Sequence, residues 1–192
     1  MNLRLLPLDA AQTKEVYDRR MTADFPPSEL KPYQDMKRLM EKGWYEPLTL
    51  VHETTGAMAA YAFQTVMPGC RCALLDYFAV LPELRGQGTG TAALSALAEH
   101  YARRLDGLII ECEHPAEAPD PAAARRRIGF YLRAGARATA IESRLFGVRY
   151  LVLALPCRDT VSEAAVSADL RRIYRLTVPD PYYRGNVIFY GG

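Results

Sequence analysis

The stretch that decides the fold is Leu74-Leu75-Asp76-Tyr77-Phe78-Ala79-Val80-Leu81-Pro82-Glu83-Leu84-Arg85-Gly86-Gln87-Gly88-Thr89-Gly90. Its apolar first half predicts a buried strand, and its second half is a glycine-rich turn that opens a helix. Backbone N–H groups at a helix N-terminus have no partner within the helix and carry the positive end of its dipole. Such a turn can bind phosphate, so the sequence predicts an anion-binding loop over residues 85–90.

Two commoner phosphate-binding loops do not fit this stretch. A P-loop ends in Gly-Lys-Ser or Gly-Lys-Thr, and no lysine occurs after Lys42. The dinucleotide-binding fingerprint requires Gly-x-Gly-x-x-Gly, whereas Gly86, Gly88 and Gly90 are spaced Gly-x-Gly-x-Gly. The loop therefore belongs to neither class.

Working outward from the loop, strands and helices alternate, which predicts an α/β layered domain with a mixed sheet. The predicted strands are Asn2–Leu8, Pro47–Glu53, Ala57–Met67, Cys72–Leu81, Gly107–His114, Ala136–Arg144 and Arg149–Leu155. Predicted helices follow Asp9, Gly90, Asp120 and Thr160, and another carries Tyr33, Met36, Leu39 and Met40 and ends at Gly43.

Local signals define several helix ends. Asp9 with Gln12 and Thr160 with Glu163 have the spacing of capping boxes. Asp120 followed by Pro121 is typical of a helix start. The last predicted helix reaches about Leu176, and a tyrosine-containing tail follows it. We expect one domain over residues 1–156, with the helix and tail of residues 157–192 appended to it.

Composition fits a single soluble domain. The chain has 192 residues, a formal net charge of +2, 49% hydrophobic and 24% charged residues. These values are typical of globular proteins and exclude a disordered or disulfide-rich chain. No segment approaches the ~20 apolar residues of a membrane span, and no signal peptide is evident. The four cysteines lack paired metal-ligand spacing, so we expect reduced structural thiols in a cytoplasmic protein.

Two motifs carry a family resemblance. Arg85-Gly86-Gln87-Gly88-Thr89-Gly90 is similar to the R/Q-x-x-G-x-G/A pyrophosphate loop of the GNAT superfamily of N-acetyltransferases. Phe130-Tyr131-Leu132-Arg133-Ala134-Gly135 resembles the second signature of that family, an aromatic-Tyr pair before a glycine at a helix end. One helix, one strand and one helix separate them, as in the family. The resemblance covers about Asn2–Pro156 and is that of a bacterial-type single-domain member.

The resemblance implies a mostly antiparallel sheet flanked by helices, and acetyl-CoA, or another acyl-CoA, bound in a V between the strands Cys72–Leu81 and Gly107–His114. Backbone groups of one strand would pair with the pantetheine arm, and an N–H there would polarise the thioester carbonyl. The residues expected to bind the cosubstrate are Phe78, Ala79, Val80, Arg85, Gly86, Gln87, Gly88, Thr89, Gly90 and Thr91.

Four residues are candidates for proton transfer. Tyr131 is the candidate general acid for the departing thiolate, because a phenol can protonate it; the alternative is a packed amphipathic tyrosine. Glu111, Glu113 and Asp76, ranked in that order, are the candidate bases. The two glutamates lie two apart on one strand face, and Asp76 interrupts an apolar stretch. Structural pairing with arginine is the alternative for each carboxylate.

The predicted reaction is acetyl transfer to a small-molecule or peptide amine by direct attack, with no metal; a homodimer is one possible assembly. We expect a cationic acceptor recruited by the acid-rich segment of Glu111, Glu113, Glu117 and Asp120. The last two could instead cap the next helix and pair with Arg125 or its neighbours. A non-enzymatic acyl-CoA-binding or sensor module is the rival function. Nucleic-acid binding by Arg125-Arg126-Arg127 is weaker, because consecutive helical residues do not share a face.

Overall fold

A computed structural model describes residues 2–27 and 29–191 of the chain. The strands are β1 (Leu3–Pro7), β2 (Tyr45–His52), β3 (Met58–Thr65), β4 (Cys72–Val80), β5 (Gly107–Glu113), β6 (Arg137–Leu145), β7 (Val148–Pro156) and β8 (Val187–Tyr190). The α-helices are α1 (Ala10–Val16), α2 (Thr22–Asp24), α3 (Tyr33–Glu41), α4 (Thr89–Tyr101), α5 (Pro121–Arg133), α6 (Glu163–Thr177) and α7 (Asp180–Tyr183). A π-helical segment (Tyr17–Met21) joins α1 to α2, and a 3₁₀ turn (Pro82–Leu84) precedes the glycine-rich loop.

The strands form one mixed sheet in the order β1-β2-β3-β4-β5-β7-β6-β8, flanked by helices. β4 pairs in parallel with β5 through Cys72, Ala73 and Leu74. The pairs β1–β2, β2–β3, β5–β7, β6–β7 and β6–β8 are antiparallel. The predicted mixed, mostly antiparallel α/β architecture is therefore confirmed.

The chain divides into two compact units, and β4 contributes to both. The first comprises residues 1–68 and 76–96, and the second comprises residues 69–75 and 97–192. Thus the second half of β4, the glycine-rich loop and the start of α4 belong to the first unit. β5, α5 and everything after them belong to the second. The expected bounds 1–156 and 157–192 stay a prediction.

The first unit has an aromatic core. Tyr45, Tyr61, Phe63 and Tyr77 project from its strands and pack with apolar residues of the N-terminal helices, among them Met36. Apolar burial of this kind contributes roughly 25 cal/mol for each Å² removed from water. The core therefore fixes the residues of β4 that precede the loop.

Short sequence signals predict the ends of two helices correctly. Asp9 and Gln12 form the expected reciprocal capping box of α1. The Asp120 carboxylate accepts hydrogen bonds from the N–H groups of Ala122 and Ala123, and Pro121 is the first residue of α5. Both ends were predictable because the groups that form them lie within one turn of each other.

The C-terminal segment differs from the prediction. Ser162, not Thr160, is the N-cap of α6, since its hydroxyl accepts a hydrogen bond from the N–H of Ala165 at 3.2 Å. The expected tail contains α7 and β8, and β8 pairs antiparallel with β6 from Glu142 to Leu145. The end of the described chain is thus part of the sheet.

Candidate functional site

The glycine-rich loop leaves its backbone open. Gly86 and Gly88 have φ angles of +74° and +81°, and a Cβ atom at either position would meet no atom within 4 Å. Side-chain-bearing residues rarely adopt this left-handed conformation, whereas glycine does so at little cost. The two glycines therefore let the chain turn sharply, and the space beside their Cα atoms is open to an approaching ligand.

Thr89 lies where the loop becomes α4, and its polar group is buried without a partner. The residue is only 1% exposed, and its Oγ1 atom has no hydrogen-bond partner among the described residues. A buried polar atom without a partner is uncommon and is explained when a ligand supplies the missing bond. Because α4 is 13 residues long, its dipole also places a partial positive charge at its N-terminus. The residues present at this site fit a phosphate group.

Arg85 anchors the loop. Its Nε atom donates a hydrogen bond to the carbonyl oxygen of Val80 at 3.0 Å, and its Nη2 atom donates to Asp24 at 2.8 Å. Asp24 also accepts a hydrogen bond from the hydroxyl of Tyr61 at 2.9 Å. The guanidinium group thus ties the loop to β4 and to α2. Nothing in the sequence linked Asp24 to Arg85, which lies 61 positions away.

Gln87, Gly90 and Thr91 complete the predicted loop residues. The Gln87 amide donates to the carbonyl oxygen of Glu83 at 2.9 Å, which braces the loop from within. Gly90 and Thr91 follow Thr89 in the first turn of α4, and Thr91 is exposed. The Thr91 hydroxyl is therefore available to solvent or to a ligand at the helix start.

Side-chain burial alternates along the end of β4, as it does in a strand that has one face in the core. Tyr77 and Ala79 are buried in the core of the first unit, and Phe78 and Val80 are half-buried. Successive side chains of a strand point to opposite faces, so the core holds one face of this segment and leaves the other partly accessible. All three residues predicted to contact the pantetheine arm lie here.

Asp76 is paired with a lysine. Its Oδ2 atom accepts a hydrogen bond from Lys31 Nζ at 2.8 Å and another from the Thr65 hydroxyl at 2.9 Å. Burial and the nearby Asp76 charge raise the pKa of Tyr45, which stays protonated beside this group. The alternative of a structural ion pair thus applies to Asp76, with lysine in place of the expected arginine. A catalytic role for Asp76 stays a prediction.

In the second unit, Glu111 has a hydrogen bond to each carboxylate oxygen. Ser143 Oγ, fully buried on β6, donates to Oε1 at 2.7 Å. The Tyr174 hydroxyl, on α6, donates to Oε2 at 2.5 Å. Hydrogen bonds to the charged form stabilise a carboxylate. Nothing in the sequence linked Glu111 to these partners, which lie 32 and 63 positions away.

The other acidic residues of this region are also paired. Glu113 lies 3.9 Å from Arg127 of α5. Glu117 forms ion pairs with Arg144 at 2.7 Å and with Arg149 at 3.3 Å, and the hydrogen bond from Arg144 lowers the pKa of the Glu117 carboxyl. The sequence suggested that Glu117 either recruits a cationic acceptor or caps the next helix and pairs with Arg125 or its neighbours. Its observed partners are instead the two arginines of the β6–β7 hairpin. The expected capping role of Asp120 is confirmed.

Tyr131 is buried in α5, with 8% of its surface exposed. Its ring packs against that of Phe130 at a centroid distance of 5.0 Å. Burial raises the pKa of its hydroxyl above the ordinary value, and the neighbouring Cys112 acts in the same direction. Tyr131 therefore carries its proton at neutral pH, as an acid must before it reacts.

The four cysteines and His114 also carry reactive side chains. All four cysteines are free, and burial raises the pKa of each thiol, so none is an activated nucleophile. His114 accepts a hydrogen bond from the N–H of Ala116 at its Nδ1 atom.

Residues 2–27 and 29–191 contain no group of three or more metal-ligating side chains. Within the same residues, no helix is long and apolar enough to cross a membrane.

The sequence pattern of the acetyltransferase (GNAT) family matches residues 13–136, which is 124 of the 192 residues. The chain belongs to the GNAT acetyltransferase family. The matched region of this acetyltransferase contains the glycine-rich loop, β5 and the Tyr131 signature. It ends before β6, so Ser143, Tyr174 and β8 lie outside it. Among curated proteins, none matches this chain.

Solved structures show the same fold. An acetyltransferase assigned to the GNAT family from Bacteroides thetaiotaomicron is 19% identical, with a TM-score of 0.68 over 93% of this chain and 98% of its own. The ribosomal-protein-S18-alanine N-acetyltransferase from Escherichia coli is 20% identical, with a TM-score of 0.55 over 84% and 98%. A Bacillus subtilis acetyltransferase in complex with CoA is 16% identical, with a TM-score of 0.55 over 81% and 99%. At these identities the likeness concerns the fold.

Proposed function

We propose that this GNAT acetyltransferase transfers an acetyl group from acetyl-CoA to an amine acceptor. One observation carries the proposal: the open backbone at Gly86 and Gly88 adjoins the unpartnered Thr89 hydroxyl at the start of α4. Backbone N–H groups at a glycine turn, an unpartnered hydroxyl and a helix dipole together suit the pyrophosphate of a coenzyme. The complex of the Bacillus subtilis structure with CoA supports the same ligand class.

Each loop residue has a proposed role. The N–H groups of residues 86–90 and the Thr89 hydroxyl bind the phosphate oxygens, and Thr91 adds an exposed hydroxyl. Arg85 and Gln87 hold the loop in shape through their bonds to Val80 and Glu83. Because Arg85 is already paired with Asp24, its contribution to binding is to position the loop rather than to supply an unpaired charge.

The reaction proposed is direct attack of the amine on the thioester. The amine nitrogen bonds to the carbonyl carbon, the C–S bond breaks, and the thiolate of CoA leaves with a proton. Backbone N–H groups at Phe78, Ala79 and Val80 are proposed to stabilise the charge that develops on the carbonyl oxygen. In the second unit, Tyr131 is the proposed proton donor to the thiolate, since it retains its proton at neutral pH.

The proton released by the amine needs an acceptor. Glu111, Glu113 and Asp76 remain the proposed candidates. Glu111 is hydrogen-bonded at both oxygens by Ser143 and Tyr174, which favours its charged form. Asp76 already faces an ammonium group, that of Lys31. We propose a cationic amine as the acceptor. One structural neighbour, the S18 acetyltransferase, acts on an alanine of a protein, which is an example of an amine acceptor.

A screen of amine acceptors with acetyl-CoA, measured as release of free thiol, tests this function. Small polyamines, aromatic amines and peptides with free N-termini cover the acceptor class. Turnover with any of them above the rate of acetyl-CoA hydrolysis supports the proposal. Tight acetyl-CoA binding in calorimetry without turnover for any acceptor would favour the non-enzymatic acyl-CoA module. The absence of binding would refute both.

The cationic acceptor is tested by salt in the same assay. Attraction between a charged acceptor and the protein is screened as ionic strength rises, so KM should increase with salt. A best acceptor that is neutral or anionic, or a KM indifferent to salt, would contradict this part of the proposal. Retention on DNA that weakens with salt would point instead to the nucleic-acid function.

A further inference from the structure

Lys31 is held alongside β4 by three contacts. Its Nζ atom donates to Asp76 Oδ2 at 2.8 Å, and its backbone N–H donates to the Tyr77 hydroxyl at 2.7 Å. Nζ also lies 5.2 Å from the ring centroid of Tyr45, the distance of a cation–π contact. Both ends of this lysine are therefore fixed to consecutive residues of one strand.

Those residues adjoin the segment proposed to hold the thioester. Asp76 precedes Phe78 by two positions, and a strand rises about 3.3 Å per residue, so their Cα atoms are roughly 7 Å apart. The residue that binds Lys31 Nζ thus lies on the same strand as the backbone proposed to bind the acetyl carbonyl, two positions before it. All of these residues belong to the first unit.

The other three lysines have different surroundings. Lys14 and Lys37 lie on the helices α1 and α3 and pair with a carboxylate one turn away, Asp18 and Glu41 respectively. Lys42 lies over the ring of Trp44. The side chains of Lys14 and Lys37 are 47% and 46% exposed, compared with 27% for Lys31. A reagent acting from solution should therefore modify Lys14 and Lys37 before Lys31.

We propose that Lys31 is an acetyl acceptor within the chain and becomes Nε-acetylated when acetyl-CoA is bound. This inference rests on the proposed function, because it uses the same bound thioester. In the step, Asp76 accepts a proton from the Lys31 ammonium group and passes it to solvent. The neutral Nζ then attacks the carbonyl carbon, the C–S bond breaks, and the CoA thiolate takes up the second proton of the amine.

Acetylation would change the surroundings of Asp76. The modified Lys31 has no positive charge, so Asp76 would keep a neutral amide donor and the Thr65 hydroxyl in place of an ion pair. A carboxylate without a facing cation attracts an external ammonium group more strongly. The modification would thereby free Asp76 for a cationic acceptor.

The test compares acetyl-CoA with a solution reagent. The full chain is incubated with isotopically labelled acetyl-CoA in an amine-free buffer, and peptide mass spectrometry follows each lysine with time. N-hydroxysuccinimidyl acetate serves as the reference for exposure. Positioning beside a bound reactant raises a rate strongly, so acetyl-CoA should modify Lys31 at least about tenfold faster than Lys14 or Lys37. The reagent should give the opposite order, and the Lys31 rate constant should not change when the protein is diluted.

Three variants act as controls. Lys31→Arg keeps the charge facing Asp76 and should lose the labelled site, whereas the matched Lys37→Arg should retain acetylation at Lys31. Gly88→Glu should lose acetylation of Lys31 by acetyl-CoA but not by the reagent. Thermal unfolding of each variant shows whether it is folded.

Failure of this inference can be distinguished from failure of the proposed function. If calorimetry shows that acetyl-CoA binds while Lys31 reacts no faster than Lys14 and Lys37, the inference is wrong and the proposed function stands. Acetylation of Lys31 that persists in folded Gly88→Glu at the same acetyl-CoA concentration would also overturn it. If acetyl-CoA does not bind, both are wrong.

Discussion

Gly88 allows the proposed phosphate-binding role of the loop to be separated from its folding role. Its φ angle is +81°, and that of Gly56, in the β2–β3 turn, is +69°. A Cβ atom at either position meets nothing within 4 Å. Replacing either residue with alanine therefore costs only the left-handed backbone conformation, about 1–2 kcal/mol. Gly88→Ala and Gly56→Ala should lose similar free energies of unfolding.

Glutamate at the same positions adds a charge. At about 4 Å from a phosphate oxygen, with an effective dielectric constant of about 20, a carboxylate is repelled by about 4 kcal/mol. That energy corresponds to a loss of affinity of roughly a thousandfold. Gly88→Glu should therefore bind CoA too weakly for calorimetry, whereas Gly56→Glu should bind as the parent chain does.

Calorimetric titration with CoA and urea unfolding of all four variants provide the measurement. The loop hypothesis requires equal stability losses in each matched pair and a loss of affinity at position 88 alone. A folded Gly88→Glu variant with the CoA affinity of Gly56→Glu would show that the phosphate groups bind elsewhere.

Three further perturbations follow from the contacts of the second unit and the aromatic core. Tyr131→Phe should lower kcat by about a hundredfold or more while CoA affinity is kept; a loss of less than about threefold, or an equal loss in the exposed control Tyr182→Phe, would assign Tyr131 to packing. Tyr174→Phe removes a hydrogen bond to the Glu111 carboxylate and should lower the free energy of unfolding by about 1.5–3 kcal/mol, which urea titration measures; an unchanged midpoint would contradict the observed bond. Burial raises the pKa of Tyr61 and Tyr131 above the unfolded value of about 10. Below that pH both hydroxyls are protonated in the folded and the unfolded chain, so they contribute their full stabilisation. Above it the tyrosines ionise in the unfolded chain first, and the free energy of unfolding decreases. Stability should therefore fall above about pH 10, and less steeply in Tyr131→Phe.

Much of the fold was predictable because its signals are local. Asp9 with Gln12 and Asp120 with Pro121 determine helix starts through bonds that span three residues or fewer. The glycines of the loop are constrained by their own backbone conformation. In each case the interaction that forms the structure lies within a few residues, so one segment of sequence contains the whole signal.

The partners of the acidic site residues were not predictable. Asp76 pairs with Lys31 across 45 positions, and Glu111 pairs with Tyr174 across 63. Such contacts depend on which strands and helices pack together, and a side chain on its own does not specify a distant partner. The sequence indicated that these carboxylates need partners or a purpose, but not which partners.

The short strand β8 was missed for a related reason. Its four residues, Val187–Tyr190, are too few for a clear alternating pattern. Its strand conformation comes from antiparallel pairing with β6, which lies more than forty positions earlier. The spacing of Thr160 and Glu163 predicted the N-cap of α6 at Thr160, whereas the N–H of Ala165 donates its hydrogen bond to the Ser162 hydroxyl.

The pairing of β8 with β6 matters for anyone who shortens this protein. An unpaired strand edge offers N–H and C=O groups to other chains and promotes aggregation. A truncated chain that stops at Pro156 would expose the backbone of β6 from Glu142 to Leu145, and would also lose the Tyr174 hydroxyl beside Glu111. Poor solubility of such a fragment would therefore reflect an exposed sheet edge, and its activity would say little about the catalytic competence of the complete fold.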